Sequence, residues 1–169
     1  IDNDLVSGQW VIEKGPHYKV DSLTVTGTAK ISRFYLQQYL EIPNGSWYRK
    51  DRLDDVSRRL LELPFLKESR PWDMTMVGTG SILNLYLDTK RSSQVNALIG
   101  FLPANQQTGK MLVTGEANLN LKNAFASGET IGLNWQQLQI QSPRLNLLYQ
   151  QPYIFRSRFG FDFNFDLFK

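Results

Sequence analysis

No cysteine occurs among the 169 residues, which excludes a disulfide framework and thiolate chemistry. Histidine occurs once, as His17. A single imidazole rules out multi-histidine metal sites and zinc fingers, and it leaves no spare histidine for a hydrolase triad. No apolar run approaches the ~18 residues that a membrane helix needs. An excess of one charge is also missing. The 19 Lys and Arg face 16 Asp and Glu, for a net charge of +3, and no basic block marks a nucleic-acid partner. The chain begins at Ile1 with neither an initiating methionine nor a signal-peptide pattern. It is therefore expected to be a processed or excised piece.

The charges are unevenly placed. Residues 1–93 hold 25 of the 35 charged residues, and residues 94–169 hold 10. In the second part the polar positions fall to uncharged amides: Asn118, Asn120, Asn134, Gln136, Asn146, Gln150 and Asn164. A soluble sandwich would put Lys, Glu and Thr on its wet face, so amides opposite apolar residues point to an enclosed one. The boundary falls near Ser92-Ser93.

The first part reads as strand, two helices and a hairpin. Residues 19–26 alternate and are rich in β-branched side chains, with Val20 and Ser22 on one face and Leu23 and Val25 on the other. Gly27 stops the strand. Ser32 stands where an N-cap belongs, ahead of a helical stripe of Phe34, Tyr35, Tyr39 and Leu40 that ends at Pro43-Asn44-Gly45. A second helix over 51–63 carries Leu53, Val56, Leu60 and Leu63 at steps of three and four, and Pro64 ends it. Strands over 72–77 and 81–89 follow, around Gly78-Thr79-Gly80. Both helices are expected on one face of a three-stranded sheet. Residues 9–14 look like one more strand, entering from an upstream unit.

The second part alternates throughout. The apolar sets are Ala117, Leu119 and Leu121; Ile131, Leu133 and Trp135; Leu145, Leu147 and Tyr149; and Phe159, Phe161, Phe163, Phe165 and Leu167. The corresponding segments are 117–122, 129–136, 144–150 and 158–167, with 94–101 as a fifth strand. Leu148 breaks the alternation once. Segments of ~10 alternating residues joined by turns are the pattern of a transmembrane β-barrel. The smallest such barrels need about 8 strands. Five would make this the front piece of a longer protein, with an unpaired edge at its last strand.

Other features have plainer readings. His17 has no partner for metal or proton chemistry and reads as a surface residue. Asp54-Asp55 sits among arginines on a helix and reads as surface ion pairs. Asp162 and Asp166 read as lumen or solvent groups. Gly78-x-Gly80 is a turn, because no helix begins after it to hold a phosphate. The phenylalanine stripe lacks interleaved Lys or Arg, which favours a lipid-facing or core role over base stacking.

Several motifs, in order, resemble a known family. Gly15-Pro16-x-Tyr18-x-Val20, Leu23-x-Val25-x-Gly27, Asn44-Gly45-x-x-Tyr48 and Leu60-x-x-Leu63-Pro64-Phe65 resemble a POTRA (polypeptide-transport-associated) domain. The run Asn118-Leu119-x-Leu121-Lys122-Asn123-x-Phe125-x-x-Gly128-x-x-Ile131 is similar to the second and third barrel strands of BamA- and TamA-type outer-membrane assembly proteins, the bacterial surface antigen family. Tyr149-x-x-Pro152-Tyr153 resembles the end of the fourth. The family's Arg-Gly-aromatic loop motif is absent from these residues.

The resemblance implies a fold class of α+β POTRA domain (β-α-α-β-β) followed by about five antiparallel strands of a transmembrane β-barrel. Residues 1–14 would end a preceding unit, 15–92 would be the POTRA domain and 93–169 the first barrel strands. It also implies an insertase rather than an enzyme, in the bacterial outer membrane with the POTRA domain in the periplasm. Clients or partner subunits would add a strand at Trp72, Asp73, Met74, Thr75, Met76 and Val77. The barrel seam would be Gln94, Val95, Asn96, Ala97, Leu98, Ile99, Gly100 and Phe101. Lipid would meet Leu119, Leu121, Ile131, Leu133, Trp135, Leu145, Leu147, Phe161, Phe163 and Phe165. Residues 103–110 and 140–143 would be outer loops, and 124–128 and 152–157 periplasmic turns. Expected partners are unfolded outer-membrane proteins, assembly-complex subunits and membrane lipid. No catalytic residue, cofactor, metal, nucleic acid or small-molecule substrate is expected. Two alternatives stand beside this: a two-partner-secretion-type or TamA-like translocation pore, and a soluble α+β binding protein with a lipocalin-like or sandwich second half.

Overall fold

The computed structural model describes residues 8–13, 17–103, 111–137 and 142–168. The expected entry strand over 9–14 is not there. Residues 8–13 are irregular and exposed, with Trp10 91 % accessible, and residue 14 lies outside the described residues. The β-branched run forms β1 (Lys19–Thr26). Val20 and Leu23 are both buried, although strict alternation puts them on opposite faces. A register shift between Val20 and Ser22 inserts one extra residue and turns Val20 to the core side. Gly27, at φ 124°, lies so close to the neighbouring strand that a Cβ would meet the Leu87 carbonyl oxygen at 2.2 Å, so only glycine fits there.

α1 (Arg33–Leu40) begins after Ser32, whose side chain makes no capping bond. Its buried face is Tyr35, Leu36 and Leu40, with Phe34 only half-buried at the margin. The expected stripe was thus rotated by about a residue, because three aromatics drew it away from Leu36. A two-residue strand β2 (Ser46–Trp47) follows. The single helix expected over 51–63 is two pieces, α2 (Lys50–Asp54) and α3 (Val56–Glu62), interrupted at Asp55 (φ −83°, ψ −11°). The stripe runs through the interruption, and Leu53, Val56, Leu60 and Leu63 are all buried. Outside, Lys50 pairs with Asp54 at 2.6 Å, and Arg58 pairs with Asp55 at 3.0 Å and Glu62 at 3.2 Å. The adjacent aspartates are therefore solvated ion pairs, which contribute little to stability.

The hairpin is β3 (Leu66–Val77) and β4 (Gly80–Thr89). β3 starts well before residue 72, because Pro71 and a charged run conceal its first half. Register shifts flank Arg70 on both sides, and a bulged edge strand tolerates proline. The first sheet runs β2-β1-β4-β3, with β1 parallel to β4 and the helices making the crossover. Leu83, Leu85 and Leu87 are fully buried under the helices in a single core with Leu23, Leu36 and Leu60.

The second sheet holds five strands: β5 (Gln94–Leu102), β6 (Leu112–Lys122), β7 (Thr130–Gln137), β8 (Pro143–Gln151) and β9 (Phe161–Phe168). They pair antiparallel in sequence order. Two segments differ from the alternation. β9 begins at Phe161, so Arg158 and Phe159 belong to a turn that the Ile154 N–H closes by donating to the Phe159 carbonyl at 2.9 Å. Glu129 precedes β7 and is buried in a turn. Most of the loops expected at 103–110 and 140–143 lies outside the described residues. Among the described residues no helix is long and apolar enough to cross a membrane, a statement that does not bear on strands.

Candidate functional site

Directly paired residues of an antiparallel sheet share a face, so the register sorts the second sheet. One row reads Val95, Leu119, Leu133, Leu147, Phe165 across all five strands. The adjacent row reads Asn96, Asn118, Asn134, Asn146, Asp166, on the opposite face. Leu121, Ile131 and Phe163 join the apolar face, as do Trp135, Leu145 and Phe161. The ten expected apolar positions therefore lie on one side. Leu148, the break in the pattern, lies on the amide side opposite Gly132, where the missing side chain leaves it room.

The amide side is the hollow one. Recesses of about 320 and 220 Å³ open on it, lined chiefly by Asn118, Asn134, Asn146 and their neighbours. The Asn146 amide donates to Asn164 at 3.1 Å and to Asp166 at 2.5 Å. The sheet thus curls around its hydrogen-bonded amides and leaves its apolar face outside. Nothing among the described residues covers that face: Phe161, Phe163 and Phe165 remain 42–49 % accessible.

Four strand edges are open among the described residues, β2 and β3 in the first sheet and β5 and β9 in the second. β5 pairs with β6 alone, so all of Gln94–Phe101 lies along a free edge. β3 pairs with β4 alone. Of the positions expected to take an added strand, Asp73, Met74, Thr75, Met76 and Val77 keep unbroken register with β4. At Trp72 the backbone N–H donates to the Glu68 carboxylate at 3.2 Å. A peptide added at that edge finds regular backbone from 73 onward and a bulge before it. The Asp73 carboxyl is held below its usual range by bonds from Asn84 and Tyr86. Among the described residues no three His, Asp or Glu side chains gather to hold a metal. His17 packs edge-on against Trp47 at 5.7 Å.

A third feature was not anticipated: the joint between the two sheets' units. The β6–β7 turn carries positive φ at Asn123, Ala126 and Gly128. Its centre is Glu129, fully buried, which accepts from the N–H of Phe125, the N–H of Ser127 at 3.1 Å and the hydroxyl of Ser127 at 2.7 Å. Burial alone pushes its carboxyl up, but these donors outweigh burial and hold it below the usual range. The turn is tied to the α+β unit. Ser32 N–H donates to the Ala126 carbonyl at 2.7 Å, and the Asn123 amide donates to the Lys30 carbonyl at 2.9 Å. Tyr35 packs against Tyr153 of the β8–β9 connection at 5.6 Å and stacks on Tyr39 at 5.9 Å. Both short turns therefore lie at the end of the sheet that meets the α+β unit. The sequence signal was present in Asn123-x-x-x-x-Gly128-Glu129, but a charged residue after a turn glycine looks like any strand start.

Two expectations follow from the joint. A Cβ on Gly128, at φ 76°, would lie 2.0 Å from the Tyr35 ring. Gly128→Ala is expected to cost at least about 1–2 kcal/mol for the left-handed backbone alone, with further loss from Tyr35 displacement, read as a lower thermal midpoint of the whole chain. Burial, then the Glu62 hydrogen bond, pushes the Tyr39 hydroxyl up to about 12. Burial raises Tyr35 as well, and Tyr153 reinforces it. A folded-state pKa above the unfolded value of about 10 favours folding fully below pH ~10. That contribution is lost as pH rises toward 12. A tyrosinate absorbance titration should show the joint tyrosines ionising late, together with loss of stability in that window.

An α+β unit is thus joined end-on to a curled antiparallel sheet with an amide interior and an apolar exterior. The same arrangement recurs in solved structures. BamA from Haemophilus ducreyi lacking POTRA domains 1–3 superposes with a TM-score of 0.62 over 91 % of this chain, at 16 % identity. CdiB from Acinetobacter baumannii superposes with a TM-score of 0.50 over 88 %, at 19 % identity. The chain spans 28 % of the length of each. At such identities the likeness is one of fold. No protein-family model and no curated protein sequence matches the chain.

Proposed function

We propose that this chain is a segment of an outer-membrane β-barrel protein that assembles or secretes other proteins. BamA and CdiB are both β-barrel proteins of the outer membrane, and their likeness in fold supports the coarse reading. The observation that carries it is the register of the second sheet, in which five sequential strands align Val95, Leu119, Leu133, Leu147 and Phe165 on one face and Asn96, Asn118, Asn134, Asn146 and Asp166 on the other. Backbone groups in lipid must be paired within the protein, which only helices and closed barrels achieve. On this reading the apolar face meets lipid and the α+β unit is a POTRA domain on the periplasmic side. The free edge at 73–77 takes strands from clients or partner subunits. β5 forms the barrel seam and pairs incoming strands through its backbone. No bond is made or broken, and no cofactor takes part.

The test is site-by-site cysteine labelling in bilayers, using one lipid-soluble and one water-soluble probe on the cysteine-free background. Positions 119, 133 and 147 should label from lipid, and 118, 134 and 146 from water. The inverse pattern refutes the facing, and no alternation at all refutes the barrel. The likeness to CdiB keeps a secretion-type role as the second reading.

A further inference from the structure

We propose that the cavity at the joint binds the phosphate of an anionic phospholipid headgroup, a site that rests on the membrane-barrel reading above. The cavity, of about 330 Å³, is walled on one side by β1, α1's end, β2 and α2, and on the other by Arg158 of the β8–β9 connection. It is complete only where the two units meet. Arg49, Arg52 and Arg158 line it against a single carboxylate, Glu41, which leaves two positive charges in excess. Arg52 and Arg59 both bind Glu41, so that acid is already neutralised and does not repel an anion. Arg49 pairs with Asp51 at 2.6 Å. Arg158 is exposed and has no hydrogen bond or ion pair among the described residues. An unpaired guanidinium beside two others suits the forked geometry of a phosphate.

Its depth and surroundings select a lipid. Arg158 precedes the first β9 residue by three positions, at most about 10 Å of chain, so the cavity lies just past the end of the apolar face. The headgroup layer beyond the hydrocarbon is of similar thickness, roughly 5–8 Å on each side. Phe155 and Phe159 flank Arg158 in the same connection and are 96 % and 77 % exposed. Exposed aromatics at a barrel's rim fit the membrane interface, whereas a free phosphate ion would need only the arginines.

Flotation of the full chain with vesicles tests this. Binding to pure phosphatidylcholine vesicles reports the apolar face, and the gain on adding phosphatidylglycerol reports the cavity. Arg158→Gln should leave the first unchanged and reduce the gain about fivefold, the worth of one arginine at an anionic surface. Arg70→Gln, which removes the same charge from the distant β3 edge, should leave the gain intact. Equal losses in the two variants would mean diffuse attraction and overturn the site. If inorganic phosphate binds the chain in neutral detergent as tightly as short-chain phosphatidylglycerol does, the site is one for the free ion and the lipid assignment fails. A wild-type chain that ignores phosphatidylcholine vesicles sinks the barrel reading itself, a result separate from the effect of Arg158.

Discussion

Replacing Leu60 by alanine is expected to destabilise the α+β unit by about 2–5 kcal/mol, the usual cost of emptying a packed leucine site. Leu60 is 1 % accessible and packs in one core with Leu23, Leu36, Leu83 and Leu85. Its immediate neighbour Leu61 is 74 % accessible. Leu61→Ala removes the same atoms from water rather than from the core, so its effect should stay within about 0.5 kcal/mol. Guanidinium unfolding of the whole chain, followed by helix circular dichroism, compares the two. Equal effects would show that the stripe through the interruption at Asp55 does not face the sheet.

The second large effect concerns the proposed lipid-facing band. Leu133→Arg is expected to cost about 2–4 kcal/mol in a bilayer, because a guanidinium near the midplane loses its hydration. Asn134→Arg, one residue along β7, enters the hollow amide face beside Asn118 and Asn146, with Asp166 in the same row. It should be nearly neutral. Urea titration of the protein folded into phospholipid bilayers measures both. A larger cost at 134 than at 133 would invert the facing.

These two comparisons differ in how much of their basis is legible without coordinates. Leu53, Val56, Leu60 and Leu63 declare the buried helix face by spacing alone, and the same is true of Leu83, Leu85 and Leu87 in β4. The two faces of β6 to β9 follow from alternation, because a strand's side-chain period of two admits only one partition into sides. Where local signals failed, a long-range contact had overridden them. Val20 reaches the core through a one-residue bulge that no alternation encodes. The first half of β3 hid behind Pro71, which is tolerable only because that strand is an edge, and edge position is a property of the whole sheet.

The sequence by itself determined the apolar stripes and the sorting of amides from aliphatics. Each of these depends on residues near one another along the chain. Only the tertiary structure decided which way the second sheet curls, which backbone edges stay unpaired, and how Glu129, Tyr35 and Tyr153 lock the two units together. Curvature and edges are set by partners many residues away. A buried carboxylate is tolerated only where folding brings its donors around it, and in the sequence Glu129 is simply one acid among 16 acidic residues.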